Sequence, residues 1–377
     1  MLAETNTTPA PKHKTKVAFL LPNLLAGGAE RVTLNLLKGN LRELFDLSFW
    51  VIRKEGPLFD QIPSNLPLTV LDAHNTLSAI TRLARAIRTQ QPEILVSMIT
   101  PANVVATLAA KLAKARTRMV LVEHGSILTH KEGRTGLERI LPFLQKYVYR
   151  LADKIVSVSE GLAEEISLNT GLNASKIQVV YNPVLSRDFY TRAEETVTHP
   201  WLSVKDSFCV VMAGRLQDVK DPILAIKAIA ALKRRMDCKF LLLGDGALRA
   251  EVEENIRRLQ LENCAEVVGY VSNPLPYIKH ADCLLMTSYS EALPTAIVEA
   301  RALGLPVVAT DCPWGPREIL NKLGHGILVA ERDPEKLADA LQKAEGLSKR
   351  VPEKALLAPF TLEASVEQYA TIIRSLT

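Results

Sequence analysis

Two doubly wound α/β units in tandem are what this chain predicts, and three observations carry the prediction. Short continuous apolar runs alternate with helical patterns from Lys16 onward, the pattern of parallel strands covered on both faces. The alternation breaks once, after Asn182-Pro183, in a charged stretch without a clear period that includes Pro200, and then resumes. A length of 377 residues with 47% hydrophobic content exceeds one core and suffices for two.

Residues 1–15 are polar and aperiodic and predict a disordered tail. The first series of strands is VAFLL, LSFWVI, LTVL, ILVSM, MVLVEH, KIVSVS and IQVVY, giving a unit over 16–185. A linker is expected near 183–205. The second series, FCVVMAG, FLLLGDG, AEVVGY, CLLMTS, PVVATD and GILVA, gives a unit over 186–355. Residues 356–377 end in FTLEASVEQYATIIRSL, a helix with Thr361 as N-cap and Glu363 placed to suit the dipole. Ala364 at the third helical position leaves the capping box incomplete.

Two segments imitate membrane signals. Lys12, Lys14 and Lys16 precede VAFLLPNLLAGGA, but Pro22 and Asn23 interrupt that run before it flows into a helical pattern. Ile94 to Ala110 is nearly long enough to span a bilayer, yet Pro101 and Asn103 divide it into a strand and a helix. The five cysteines are widely spaced, odd in number and without CxxC, which argues against a disulfide framework or a zinc site. Buried reduced thiols in the cytosol follow. Residues 1–185 carry 22 Lys and Arg against 15 Asp and Glu, and the remainder 24 against 26. The basic half accommodates either an anionic partner or ordinary surface lysines. Aromatic content of 5%, with no basic tract interleaved by aromatics, gives no sign of nucleic-acid binding.

The chemistry concentrates in loops that follow strands. In PNLLAGGAER, Gly27 and Gly28 let backbone approach a ligand at a helix start, although a tight turn alone needs the same residues. In MAGRLQDVKD, Arg215 forks onto phosphate oxygens and Lys220 adds a compact charge. In SYSEALPTAIVEA, Glu291 stays on the loop, Pro294 is the expected first helical residue, and Glu299 falls more than one turn inside. Leu293, Pro294 and Thr295 present the opening of that helix to an anion. The apolar flanks of Glu299 imply burial, and a buried carboxylate requires a partner. His124 ends a strand before Gly125, where it is either a donor into a cleft or structural. Gly244, in GDGALR, lines a ligand edge or makes a tight turn. Backbone near Val271 suits a base, Asn182 and Pro183 mark the domain exit, and WGPREI opens a helix.

GGAER, EHGS, VSVSEGL, GRLQDVKD, GDGALR and SEALPTAIVEA occur in an order that resembles the retaining glycosyltransferase family 4, of GT-B architecture. The resemblance covers the chain from Lys16, and the two glutamates eight positions apart are its most specific element. It implies two Rossmann-like domains facing a cleft, the donor against the second and the acceptor against the first, with the last helix crossing back to the first. By resemblance Arg215 and Lys220 bind the diphosphate, Glu299 the ribose and Glu291 the transferred sugar. Gly28 then approaches the phosphates, and His124 stands near the reacting carbon. The sequence departs from the pattern at Ala292 and Asp221, where glycine is frequent. VVYNPV with DCPWGPREI is similar to members that build bacterial surface or lipid-linked glycans.

The expected reaction moves a hexose or N-acetylhexosamine from an NDP-sugar, UDP foremost, to a glycan or polyprenyl-linked hydroxyl with retained configuration. The NDP-sugar is a substrate, no cofactor is expected, and without an Asp-x-Asp motif neither is a metal. A sugar-nucleotide epimerase of the same architecture, a phosphorylase and a non-catalytic nucleotide-sugar binding protein are the alternatives. The expected location is cytoplasmic, with peripheral membrane contact in view. RTGLERILPFLQKYVYRLADK carries Arg134, Arg139, Lys146, Arg150 and Lys154 around an apolar stripe, which suits anionic lipid or packing against a sheet.

Overall fold

The computed structural model describes residues 14–25, 27–125, 141–203 and 207–377. Thirteen parallel strands form two sheets. The first contains β1 (Lys16–Leu21), β2 (Asp46–Val51), β3 (Leu68–Val70), β4 (Ile94–Met98), β5 (Arg118–Glu123), β6 (Lys154–Ser157) and β7 (Ile177–Val179), ordered β3-β2-β1-β4-β5-β6-β7. The second contains β8 (Phe208–Ala213), β9 (Cys238–Leu243), β10 (Ala265–Gly269), β11 (Cys283–Met286), β12 (Val307–Thr310) and β13 (Gly326–Val329), ordered β10-β9-β8-β11-β12-β13. Each sheet starts at a central strand, runs out to one edge, and returns to build the other. The order therefore reverses beside β1 and beside β8, where such sheets open a crevice at their carboxyl ends.

Burial explains why the sequence reads so directly as strands. β4 is buried along its whole length, and only the first residue of β1 reaches solvent. Phe19 of β1 stands opposite Phe49 of β2 and Val96 of β4, in the middle of the sheet. The Ile94–Ala110 segment divides into β4 and a helix over Thr100–Ala113. All five cysteines are free and buried. Among the described residues no helix is long and apolar enough to cross a membrane. Most of the expected tail, and Arg134 and Arg139, lie outside the described residues.

The helix Leu362–Arg374 packs onto the first sheet, not the second. Val366, Tyr369, Ala370 and Ile373 join the core of Val17, Phe19 and Leu21. Thr361 caps the helix, its hydroxyl accepting from Ala364 N at 3.3 Å.

Candidate active site

The carboxyl ends of both sheets face one cleft of about 800 Å³. Most of the loops singled out above open into it, WGPREI excepted. Gly27, Gly28, His124, Arg215, Lys220, Gly244, Val271, Glu291, Leu293, Pro294, Thr295 and Glu299 all line its walls. Among the described residues no group of three or more His, Cys, Asp or Glu is placed to hold a metal ion.

On the first-sheet side, the helix Gly28–Lys38 starts at Gly27 with no side-chain cap. Its free N–H groups thus remain available to an anion. A Cβ on Gly27 would collide with Glu30 Oε2 and lie 2.8 Å from Arg215 Nη2. A Cβ on Gly28 would meet nothing within 4 Å. A side chain at 27 would therefore displace the ends of Glu30 and Arg215, whereas the space beside 28 is open cleft.

Deeper on this wall lies a buried polar cluster that the motifs do not reveal. Glu123 ends β5 at 1% exposure and accepts from Thr100 Oγ1 (2.5 Å), from Gln145 Nε2 (3.3 Å) and from the Tyr149 hydroxyl. Burial dominates over these donors and pushes its pKa up to about 7. Beside it, burial pulls His124 down to about 4, and the buried His124 Nε2 has no hydrogen-bond partner among the described residues. At neutral pH this histidine is uncharged, able to donate or accept one proton but not to act as a cation. Ile99, which opens the Thr100–Ala113 helix at the cleft edge, has φ 71°, a conformation that a β-branched residue rarely adopts.

The second-sheet wall is charged. Lys220, on a 3₁₀ turn over Asp218–Lys220, places Nζ 2.5 Å from Glu291 Oε1. Ser288 Oγ donates to the same oxygen at 2.5 Å. Glu291, which stays on the loop as expected, is thus the more tightly held of the two. Its backbone pairs with Trp314 and accepts from Gly315 N at 2.9 Å, so WGPREI anchors the glutamate loop as well as opening the Gly315–Leu323 helix. Glu299 differs from expectation in another way. It is half-buried, and its carboxylate makes no hydrogen bond or ion pair among the described residues. Desolvation pushes its pKa up to about 7, against the opposing pull of Arg31 and Arg192. Pro294 precedes the helix, which begins at Thr295 and has no side-chain cap.

Arg215 also has no ion pair among the described residues, and its Nη2 approaches the Gly27 loop across the cleft. Gly244 combines both readings offered for it. It lines the cleft, and at φ 152° a Cβ there would collide with Gly214 O. Asn182, expected only as a domain exit, is a wall residue too. Arg31 closes the GGAER motif but was given no role from the sequence; its Nη2 donates to Tyr270 Oη at 3.0 Å and bridges the two walls. These partners stand 239 positions apart, so no local pattern connects them.

Known proteins resemble this chain in sequence and in fold. A family model described as Glycosyltransferase Family 4 matches residues 26–185, and one described as Glycosyl transferases group 1 matches residues 194–353. An uncharacterized glycosyltransferase of Methanocaldococcus jannaschii is 30% identical over 247 residues, covering 63% of this chain and 60% of that protein. The N-acetylgalactosamine-N,N'-diacetylbacillosaminyl-diphospho-undecaprenol 4-alpha-N-acetylgalactosaminyltransferase of Campylobacter jejuni is 30% identical over 224 residues, 59% of each chain. This chain's match therefore spans 60% and 59% of the length of these two relatives. Among solved structures, Anabaena HepE in complex with UDP and glucose superposes with a TM-score of 0.74 at 20% identity, covering 96% of this chain and 100% of that one.

Proposed function

Because this chain belongs to the glycosyltransferases of group 1 and family 4, with two Rossmann-like sheets in the GT-B arrangement, we propose that it transfers a hexose or N-acetylhexosamine from an NDP-sugar to an acceptor hydroxyl. UDP is the proposed nucleotide, and the acceptor a glycan or polyprenyl-linked glycan of surface-polysaccharide assembly. The observation that carries this reading is the second-sheet wall, where two cations, two carboxylates and an uncapped helix start converge on one cleft.

In the proposed reaction the glycosidic oxygen leaves with the diphosphate, and Arg215 and Lys220 stabilise the charge that develops there. Before the donor enters, Glu291 neutralises Lys220. An incoming diphosphate competes for that ammonium and leaves Glu291 an acceptor for sugar hydroxyls. Glu299 accepts from ribose hydroxyls, and the open space beside Gly28 admits phosphate oxygens to the helix N–H groups. His124, held neutral, stands on the acceptor side near the sugar. No protein nucleophile is required. The acceptor attacks from the face that the diphosphate leaves, its proton passes to the departing phosphate, and configuration is retained.

The lipid-linked part of this reading draws on the Campylobacter relative, whose name specifies a diphospho-undecaprenol substrate. The UDP part draws on HepE, solved with UDP and glucose. Phe143, Lys146, Tyr147, Arg150 and Leu151 share the exposed face of the Leu141–Leu151 helix, which suits peripheral contact with anionic lipid on a cytoplasmic membrane face. The test is incubation with UDP-, GDP- and ADP-sugars, with and without a polyprenyl-linked glycan, following nucleotide release and acceptor mass. Release with one donor and a gain of one sugar is the expected result. Donor consumption without any acceptor would instead identify an epimerase or hydrolase.

A further inference from the structure

The charged wall is braced by a residue that belongs to none of the motifs and does not line the cleft. Arg332 follows β13, two residues before the helix that begins at Pro334. Its Nη2 pairs with Asp221 Oδ2 at 2.5 Å and donates to Thr287 O at 2.9 Å, while Nη1 donates to Ser288 O at 2.9 Å. The guanidinium carbon stands 3.6 Å from the centroid of the Tyr289 ring.

These contacts join the two loops that carry the reacting charges. Asp221, directly after Lys220, has φ 43° and ψ 63°, a left-handed conformation that glycine adopts freely and aspartate tolerates through local hydrogen bonds. Its Oδ1 accepts from Leu224 N at 3.0 Å and caps the Pro222–Lys233 helix, while its other oxygen holds Arg332. From the opposite loop, Thr287 Oγ1 lies 3.0 Å from Lys220 O and 2.8 Å from Asp221 O. Tyr289 N donates to Val219 O at 2.8 Å, and Ser288 is the residue that holds Glu291. Among the described residues, the bonds that Thr287 and Tyr289 make to the Lys220 turn come from residues that Arg332 itself touches.

We propose that Arg332 is a positioning residue for the transfer reaction, fixing Lys220 Nζ relative to Glu291 by clamping the Asp221 turn to the Thr287 and Ser288 carbonyls. The proposal rests on Lys220 and Glu291 being donor-site groups. A planar guanidinium satisfies a carboxylate and two carbonyls at once; a lysine at the same place keeps the charge but loses the fork. Asp221, which departs from the family's frequent glycine, is thereby explained as half of this brace.

The test compares Arg332→Met and Arg332→Lys with the wild type in two readouts. The first needs no substrate: lysines are reductively methylated with ¹³C-formaldehyde, and the Lys220 signal is assigned through Lys220→Arg. Arg332→Met should move that signal toward those of exposed lysines, and Arg332→Lys should move it part of the way. The second is donor kinetics, where displacing a catalytic cation by a fraction of an ångström costs up to about 10²-fold. The loss should fall on kcat, with donor KM changed less than about threefold, and Arg332→Lys should recover part of it. A Lys220 signal unchanged from wild type in a folded Arg332→Met protein overturns the brace, as does a kcat equal to wild type. If Arg332→Met does not fold, Arg332→Lys carries the same comparison. If the wild type consumes no nucleotide-sugar, the functional reading fails, while the Lys220 signal still decides the brace.

Discussion

The two walls of the cleft are built from the same fold but opposite electrostatics. At the ends of β8 and β11, charges stand in the open or in direct pairs: Arg215 without an ion pair among the described residues, and Lys220 against Glu291. At the end of β5, burial shifts two neighbouring groups toward their neutral forms, with Glu123 raised to about 7 and His124 lowered to about 4. On the second wall Glu299 alone, among the described lining residues, is so shifted. A charged wall can replace the water around a diphosphate, and a neutral, desolvated wall suits a hydroxyl group. The difference matches a donor that carries its charge with it and an acceptor group that has none.

Removing the charge from the second wall should have the largest effect. Lys220→Ala is expected to lower kcat by about 10²–10³-fold, the usual cost of losing one donor to a developing oxyanion. The same change leaves Glu291, which is 9% exposed, without its cation, and a lone buried carboxylate destabilises by roughly 2 kcal/mol or more. The double variant Lys220→Ala/Glu291→Gln separates the two effects: its melting temperature should return toward wild type while turnover stays low. Near-normal turnover in a folded Lys220→Ala protein would remove the charged wall from the mechanism.

The neutral wall makes a prediction of similar energy that is invisible at a single pH. The folded pKa of Glu123 lies above its ordinary 4.5, so the fold favours its protonated form. Its contribution is present at low pH and is lost as pH rises from 4.5 through 7. The folded pKa of His124 lies below its ordinary 6.5, so its contribution is present above 6.5 and is lost as pH falls toward 4. Each slope amounts to about 3 kcal/mol over its full range, and between pH 4.5 and 6.5 the two oppose each other. Single variants should expose what the wild type conceals. Urea melts from pH 4.5 to 7.5 should show Glu123→Gln gaining stability relative to wild type as pH rises. For His124→Phe the relative gain should appear as pH falls. Parallel curves for all three proteins would mean that this wall is not desolvated, and the contrast between the walls would collapse.

What the sequence disclosed follows the same division. All thirteen strands among the described residues were legible, the central ones because strands buried on both faces are written as unbroken apolar runs. The charged wall was legible because its residues sit in short loops directly after those strands, where Arg215, Lys220, Glu291 and Glu299 appear as local patterns. The neutral wall was legible only at His124. Glu123 reads as one more residue of MVLVEH, and its partners Thr100, Gln145 and Tyr149 come from two other helices. Arg332 was missed for the same reason, since Asp221 lies 111 positions away and no periodicity links them. Glu299 was expected to have a partner and has none among the described residues, because it lines open cleft where apolar flanks predicted a closed interior.

The smallest expected effect tests whether the two walls act as one. Tyr270→Phe removes the hydroxyl that accepts from Arg31 at 3.0 Å across the cleft and leaves the ring in place. The bond is exposed, so its loss should change global stability by less than about 1 kcal/mol. Its position gives it a different consequence. Arg31 is the first-ranked cation opposing the rise in the Glu299 pKa, and freeing it from Tyr270 lets the guanidinium follow whichever anion is strongest nearby. Donor KM should therefore change several-fold while kcat holds, the pattern of an interaction made equally in ground and transition states. A fall in kcat with KM constant would instead mean that the bridge sets the approach of acceptor to donor, and that the walls are coupled through Arg31 during the chemical step itself.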